Sequence, residues 1–106
     1  MSGAALVWCP FPDPDSARAA ADALLDEGLI ACANILSSME SRFVWQGARA
    51  GGTEIPVLFK TNADALDDVV TRLGELHPYD TPAIIGWHAD AAHPATLGWL
   101  AGAVSG

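Results

Sequence analysis

Pro78 and Pro82 bracket the segment His77-Pro78-Tyr79-Asp80-Thr81-Pro82 and forbid a helix from running through it. Each proline also disfavours helical backbone in the residue before it, so the stretch from Leu76 to Thr81 is biased toward extended geometry. Upstream, Leu66, Val69, Val70, Leu73 and Leu76 recur at helical spacing. Downstream, Ala83-Ile84-Ile85 restarts an apolar run that reads as a fully buried strand. The segment is therefore a rigid hinge between layers. It carries an imidazole, a phenol and a carboxylate on backbone with little freedom, and a functional site is expected here.

The rest of the chain supplies the layers. Ala4 to Cys9 is a short apolar run cut off by Pro10-Phe11-Pro12, which predicts a buried strand with an abrupt end. Asp13 or Asp15 can cap the helix that follows, with Pro14 in its first turn, Ala17, Ala20, Ala21, Leu24 and Leu25 on one side, and Gly28 as its left-handed terminator. Leu29 to Leu36 begins a second strand, continued by Arg42 to Gln46 past an irregularity at Ser37 and Ser38. Gly47, Gly51 and Gly52 mark a loose hairpin turn, and Glu54 to Thr61 returns as a third strand in which Pro56 argues for an edge or a bulge. Thr61 or Asn62 is placed to cap the second helix. A fourth strand over 83–88 and a short helix after Pro94 precede an end expected to fray at Ser105 and Gly106.

The order strand, helix, strand, strand, helix, strand, helix fits one α+β arrangement. It is a ferredoxin-like βαββαβ antiparallel sheet with two helices on one face plus a short C-terminal helix. At 106 residues the chain makes one domain, 1–106. An apolar share of 51% against 17% charged residues points to surface covered in an oligomer. A hairpin carrying Phe43, Val44 and Trp45 beyond the sheet has the same implication, because association removes an apolar patch and an open edge together.

Charge narrows the partners. The net charge is −8, and the only bases are Lys60, Arg18, Arg42, Arg49 and Arg72, which opposes binding to nucleic acid or an anionic membrane. A cation is easier to attract. The N-terminus has no basic and apolar leader pattern, and no apolar run reaches the length of a membrane span, so a cytoplasmic protein is expected. Cys9 and Cys32 are too few for a disulfide framework and read as reduced core residues.

Several side chains admit two readings. His77 is either a metal ligand or an imidazole compensating the C-terminal end of its helix. Tyr79 either holds a small ligand through its hydroxyl or packs with that hydroxyl tied to the protein. Lys60, the only lysine, either recognises an anionic group or extends its ammonium to water. Trp45, Trp87 and Trp99 read as packing and subunit anchors, and Asp64, Asp67 and Asp68 as a solvated helix face. His88 and His93, flanking a loop with Asp90, are a surface set more often found without metal than with it. No phosphate-cradling glycine loop, HExxH, CxxC or GxSxG occurs, so no residue is nominated as catalytic.

Gly28-Leu-Ile-Ala-Cys-Ala-Asn-Ile35, Trp45-Gln-Gly47, Phe59-Lys-Thr61 and His77-Pro-Tyr-Asp-Thr-Pro82, in this order, resemble the CutA family, small trimeric proteins linked to divalent-cation tolerance. Nearly the whole chain is covered. The resemblance implies a non-enzymatic, cytoplasmic homotrimer whose hairpins pair with neighbouring subunits, acting in the response or tolerance to divalent metal ions. It also implies no obligatory cofactor and weak binding of copper or another divalent ion near the inter-subunit cleft, with Cys9 and His77 as the metal ligands. Ala83 stands where the family carries a glutamate ligand, which leaves a thiolate and an imidazole, a pair suited to Cu(I). The alternative is a ligand-sensing or scaffold trimer that holds a small anionic molecule between subunits through Lys60 and Tyr79.

Overall fold

The computed structural model describes residues 3–105. Its elements are β1 (Ala4–Phe11), α1 (Pro14–Asp26), β2 (Cys32–Ile35), β3 (Met39–Trp45), β4 (Ala48–Asn62), α2 (Leu66–Leu76), β5 (Ile85–His88) and α3 (Pro94–Ala103), with a single 3₁₀ turn at Ala63–Ala65 before α2. All pairings are antiparallel, in the order β2-β4-β1-β5, and β3 also pairs with β4. That is the expected ferredoxin-like arrangement.

Local chemistry explains most boundaries. The carboxylate of Asp13 accepts the Ser16 N–H at 2.7 Å and caps α1, while Pro14 occupies the first turn, where no N–H is needed. Gly28 ends the helix region at φ +71°, a conformation that favours glycine. At the hairpin tip Gln46 and Gly47 both have positive φ, 50° and 79°, so the connection is a tight two-residue turn. The loose turn expected through Gly51 and Gly52 is not formed, because both lie inside β4, paired with Arg42 and Ser41.

The irregularity at Ser37 and Ser38 is a bulge. Cys32 stands opposite Lys60 in β2, and Met39 stands opposite Glu54 in β3, so residues 36–38 face only 55 and 56 of β4. Pro56 sits at that bulge on one side and opposite Pro10 on the other. Neither proline has an N–H, so this can only be a pair without mutual hydrogen bonds; the Pro56 carbonyl turns outward and accepts from the Leu36 N–H at 2.9 Å.

The core lies between the sheet and α1 and α2. Ala5, Val7, Cys9 and Phe11 of β1 and Ile55, Val57 and Phe59 of β4 alternate into it and meet Ala17, Ala20, Ala21 and Leu24 of α1 and Leu66, Val69 and Leu73 of α2. Each large apolar side chain sealed there contributes roughly 1.5–3 kcal/mol. Phe11 and Phe59 cross edge to face with centroids 6.4 Å apart. Thr61 is not a cap: fully buried, it donates its hydroxyl to the Leu29 carbonyl at 2.6 Å, and Asn62, at the N-cap of the 3₁₀ turn, makes no side-chain capping bond.

Three further expectations are corrected. The strand over 83–88 is not buried: only Ile85–His88 is extended, it lies at the sheet edge, and Ile85 is 62% exposed. An edge strand has one neighbour, and residues 85 and 87 stand opposite Trp8 and Leu6, on the face without α1 and α2. Cys32 is half-buried rather than a core residue, since β2 alternates it onto the same face; its thiol approaches Asn34 Oδ1 at 3.5 Å. Ser105 is tied down through its N–H to the Gly28 carbonyl at 3.0 Å, while Gly106 lies outside the described residues.

Candidate metal and ligand site

The hinge does what its prolines require. His77 ends α2, its N–H still bonded to the Leu73 carbonyl at 2.9 Å, but its backbone is already extended at φ −73° and ψ 139°. This swings the imidazole back over the end of β1. It stacks on Phe11 with centroids 4.5 Å apart and planes 22° from parallel, and it is only 7% exposed.

Both ring nitrogens of His77 are engaged. Nδ1 accepts the Tyr79 N–H at 3.1 Å, so the proton sits on Nε2, which donates to the Pro10 carbonyl at 2.8 Å. That carbonyl is open because β5 stops pairing with β1 at Trp8 opposite Ile85, one turn of the pleat too early to reach it. Cys9 Sγ lies 3.8 Å from the same oxygen. The thiol and the imidazole therefore meet around one backbone atom. Cys9 is sealed in the core, and burial, followed by the nearby Glu54 carboxylate, pushes its thiol up to about 12.

Tyr79 links the hinge to the hairpin. Its ring lies 4.8 Å from that of His77, and its hydroxyl donates to Glu54 Oε2 at 3.1 Å. Burial first, then the hydrogen bond and charge of Glu54, raise its phenol above the ordinary value. Between this turn and the β3–β4 ribbon opens a cleft of about 910 Å³, lined among others by Phe43, Trp45, Glu54, Tyr79, Asp80 and Ala83. Asp80 thus faces the cleft, not the Cys9–His77 pair.

Lys60 is elsewhere. It lies on the face of β4 away from α1 and α2, six residues from Glu54, or roughly 20 Å along an extended strand. One copy does not bring Lys60 and Tyr79 together. Nor do His88 and His93 form a metal site with Asp90: His93 Nδ1 accepts the Ala95 N–H at 3.0 Å and caps α3. Among the described residues, no three His, Cys, Asp or Glu side chains gather closely enough to hold a metal ion. Glu54 and Pro10 were missed by the sequence reading; both are recruited by partners far along the chain, and no local pattern marks them.

The family model described as "CutA1 divalent ion tolerance protein" matches residues 5–103. This chain belongs to the CutA1 family. The CutA divalent-cation tolerance protein of Pyrococcus horikoshii is 39% identical over 95 residues, covering 90% of this chain and 92% of that protein. The crystal structure of CutA from Xylella fastidiosa superposes with a TM-score of 0.92 at 34% identity, covering 98% of this chain and all of that one. The CutA of Archaeoglobus fulgidus, described as a periplasmic divalent cation tolerance protein, superposes at 0.90 with 26% identity, covering 96% of this chain and 99% of that one. CutA1 membership places the chain among divalent-ion tolerance proteins. No helix among the described residues is long and apolar enough to cross a membrane.

Within this CutA1 framework the donor set is narrow. One thiol and one imidazole fit a soft ion that accepts two ligands, and fall short of the four that a structural Zn²⁺ site uses or the six and more oxygens that Ca²⁺ takes.

Proposed function

We propose that this protein is a cytoplasmic homotrimer that serves divalent-metal tolerance by binding rather than turnover, and that it holds a copper-class ion weakly through Cys9 and His77. The observation that supports the site is the convergence of Cys9 Sγ and His77 Nε2 on the Pro10 carbonyl. An ion bound there would displace one proton, that of the thiol, and would need the imidazole in its Nδ1–H tautomer, because only the thiolate and an unprotonated ring nitrogen are ligands. With the thiol raised to about 12, metal must compete with a firmly held proton at pH 7, which supports a weak affinity. The same protonated, sealed thiol is a poor nucleophile, in keeping with binding rather than catalysis.

Assembly is supported by the sheet face away from α1 and α2. Trp87, Ile85, Phe43 and Trp45 are all substantially exposed in a single copy, and strand alternation and register put them on one continuous face with Leu6, Trp8 and Leu58. The ribbon that extends this face makes the molecule 44 Å long against 27 and 23 Å across.

Cu(I) titration against a competing chelator tests the metal site. Wild type is expected to bind more tightly at pH 8.5 than at pH 7, and Cys9→Ser to lose binding; equal affinity of the two proteins removes Cys9 from the site. Sedimentation at micromolar concentration tests assembly, and a stable folded monomer overturns it.

A further inference from the structure

The strands' side chains on the sheet face away from α1 and α2 carry almost no charge. On β4 the side chains that alternate onto it are Ala48, Ala50, Gly52, Glu54, Pro56, Leu58, Lys60 and Asn62. The registers add Met39, Ser41, Phe43 and Trp45 from β3, Cys32 and Asn34 from β2, Ala4, Leu6, Trp8 and Pro10 from β1, and Ile85 and Trp87 from β5. Glu54 and Lys60 are thus the only charged residues among these strand positions, and Asp80 of the hinge adds a second carboxylate to the cleft beside Glu54. Glu54 and Lys60 are opposite in sign and about 20 Å apart along one strand, too far to meet within a copy. Neither takes part in an ion pair among the described residues.

Resting on the trimeric reading above, we propose that Lys60 of each copy pairs with Glu54 of the next, so that the covered face contains three intersubunit ion pairs. Covering an apolar face leaves a lone ammonium or carboxylate without water, and an opposite charge from the neighbouring copy is what compensates it. A ring of three joined head to tail matches two different ends of one strand and closes with every Lys60 facing a Glu54. Glu54 has the capacity: a carboxylate offers about four acceptor positions, and the Tyr79 hydroxyl uses one of them. The pairing also explains why Lys60 and Tyr79 lie apart in one copy. Across copies, the Tyr79–Glu54 pair is where Lys60 arrives, and the anion it recognises is protein.

Charge reversal tests this. Lys60→Glu and Glu54→Lys, each alone, are expected to move the trimer midpoint in sedimentation equilibrium at least tenfold to higher concentration. The double reversal is expected to restore it to within about threefold of wild type. Far-UV circular dichroism at the same concentrations shows whether each variant is folded, and Lys60→Met with Glu54→Gln supplies a neutral pair if a reversed single variant is not. A wild-type trimer indifferent to the single reversals, or a double variant no better than either single, overturns the pairing alone. A monomeric wild type overturns the trimeric reading and the pairing with it.

Discussion

The imidazole of His77 donates to the carbonyl of Pro10 at 2.8 Å, and this bond closes the end of β1 where β5 fails to reach. It joins two parts of the chain that have no sequence proximity, the C-terminus of α2 and the last turn of the first strand. Because Nδ1 is also occupied, by the Tyr79 N–H, the ring is held in one tautomer and one orientation.

Replacing that ring is therefore expected to be costly. His77→Ala removes the stack on Phe11 and leaves the buried Pro10 carbonyl without a donor, a loss of roughly 2–4 kcal/mol. Tyr79→Phe, which removes only an exposed hydrogen bond to Glu54, is expected to lose less than about 1 kcal/mol. Urea unfolding at matched protein concentration distinguishes the two.

Cys9 is expected to contribute to a loss of stability at alkaline pH. Its folded-state thiol is raised from 9.0 to about 12, so the unfolded chain loses this proton first as the pH rises. The contribution is complete below pH 9 and is lost progressively toward pH 12, and Cys9→Ala is expected to flatten that decline. Iodoacetamide at pH 8 is expected to label half-buried Cys32 and spare Cys9 until the protein is unfolded, as peptide mass mapping will show.

The opposite sign applies at Glu27. Two hydrogen bonds from Arg72, at 2.8 and 3.1 Å, hold its carboxyl below the ordinary value of 4.5 and tie α1 to α2. Between the lowered value and 4.5 the unfolded chain binds the extra proton, so this contribution is present above pH 4.5 and disappears as the pH falls through the folded-state value. Thermal melts at pH 5, 4 and 3 are expected to show a shallower decline for Arg72→Met than for wild type.

Ile85 reports on assembly rather than folding. At 62% exposure in a single copy, Ile85→Asp is expected to change the stability of the isolated fold by only about 0.5 kcal/mol. If the sheet face away from α1 and α2 is covered by other copies, the same change places a carboxylate in an apolar interface. Sedimentation is then expected to show a folded monomer where wild type is larger, and an unchanged mass excludes Ile85 from the interface.

The fold was largely legible because its signals are local. Asp13 before Pro14, Gly28 after α1, and the apolar spacing of α1 and α2 act within a turn or two, and the structure bears them out except at Leu25, which α1 turns to the surface at 44% exposure. Even the bulge opposite Pro56 announced itself, through serines and a proline that suit no regular ladder. The site was legible in part. His77 and Tyr79 stood out for their prolines, but their partners, Pro10 and Glu54, are 67 and 25 residues away in sequence.

By itself the sequence determined the order of elements, the caps, the rigid hinge and the excess of negative charge, since each follows from residue type and spacing. Tertiary structure alone decided which backbone carbonyl was left unpaired for His77, that Cys9 turns into the core while Cys32 turns out of it, and that Ile85 lies on an edge. Strand order and register set those outcomes. In a sheet, a side chain's face and a carbonyl's partner depend on which strand lies alongside, and that neighbour is chosen by contacts distant in the chain.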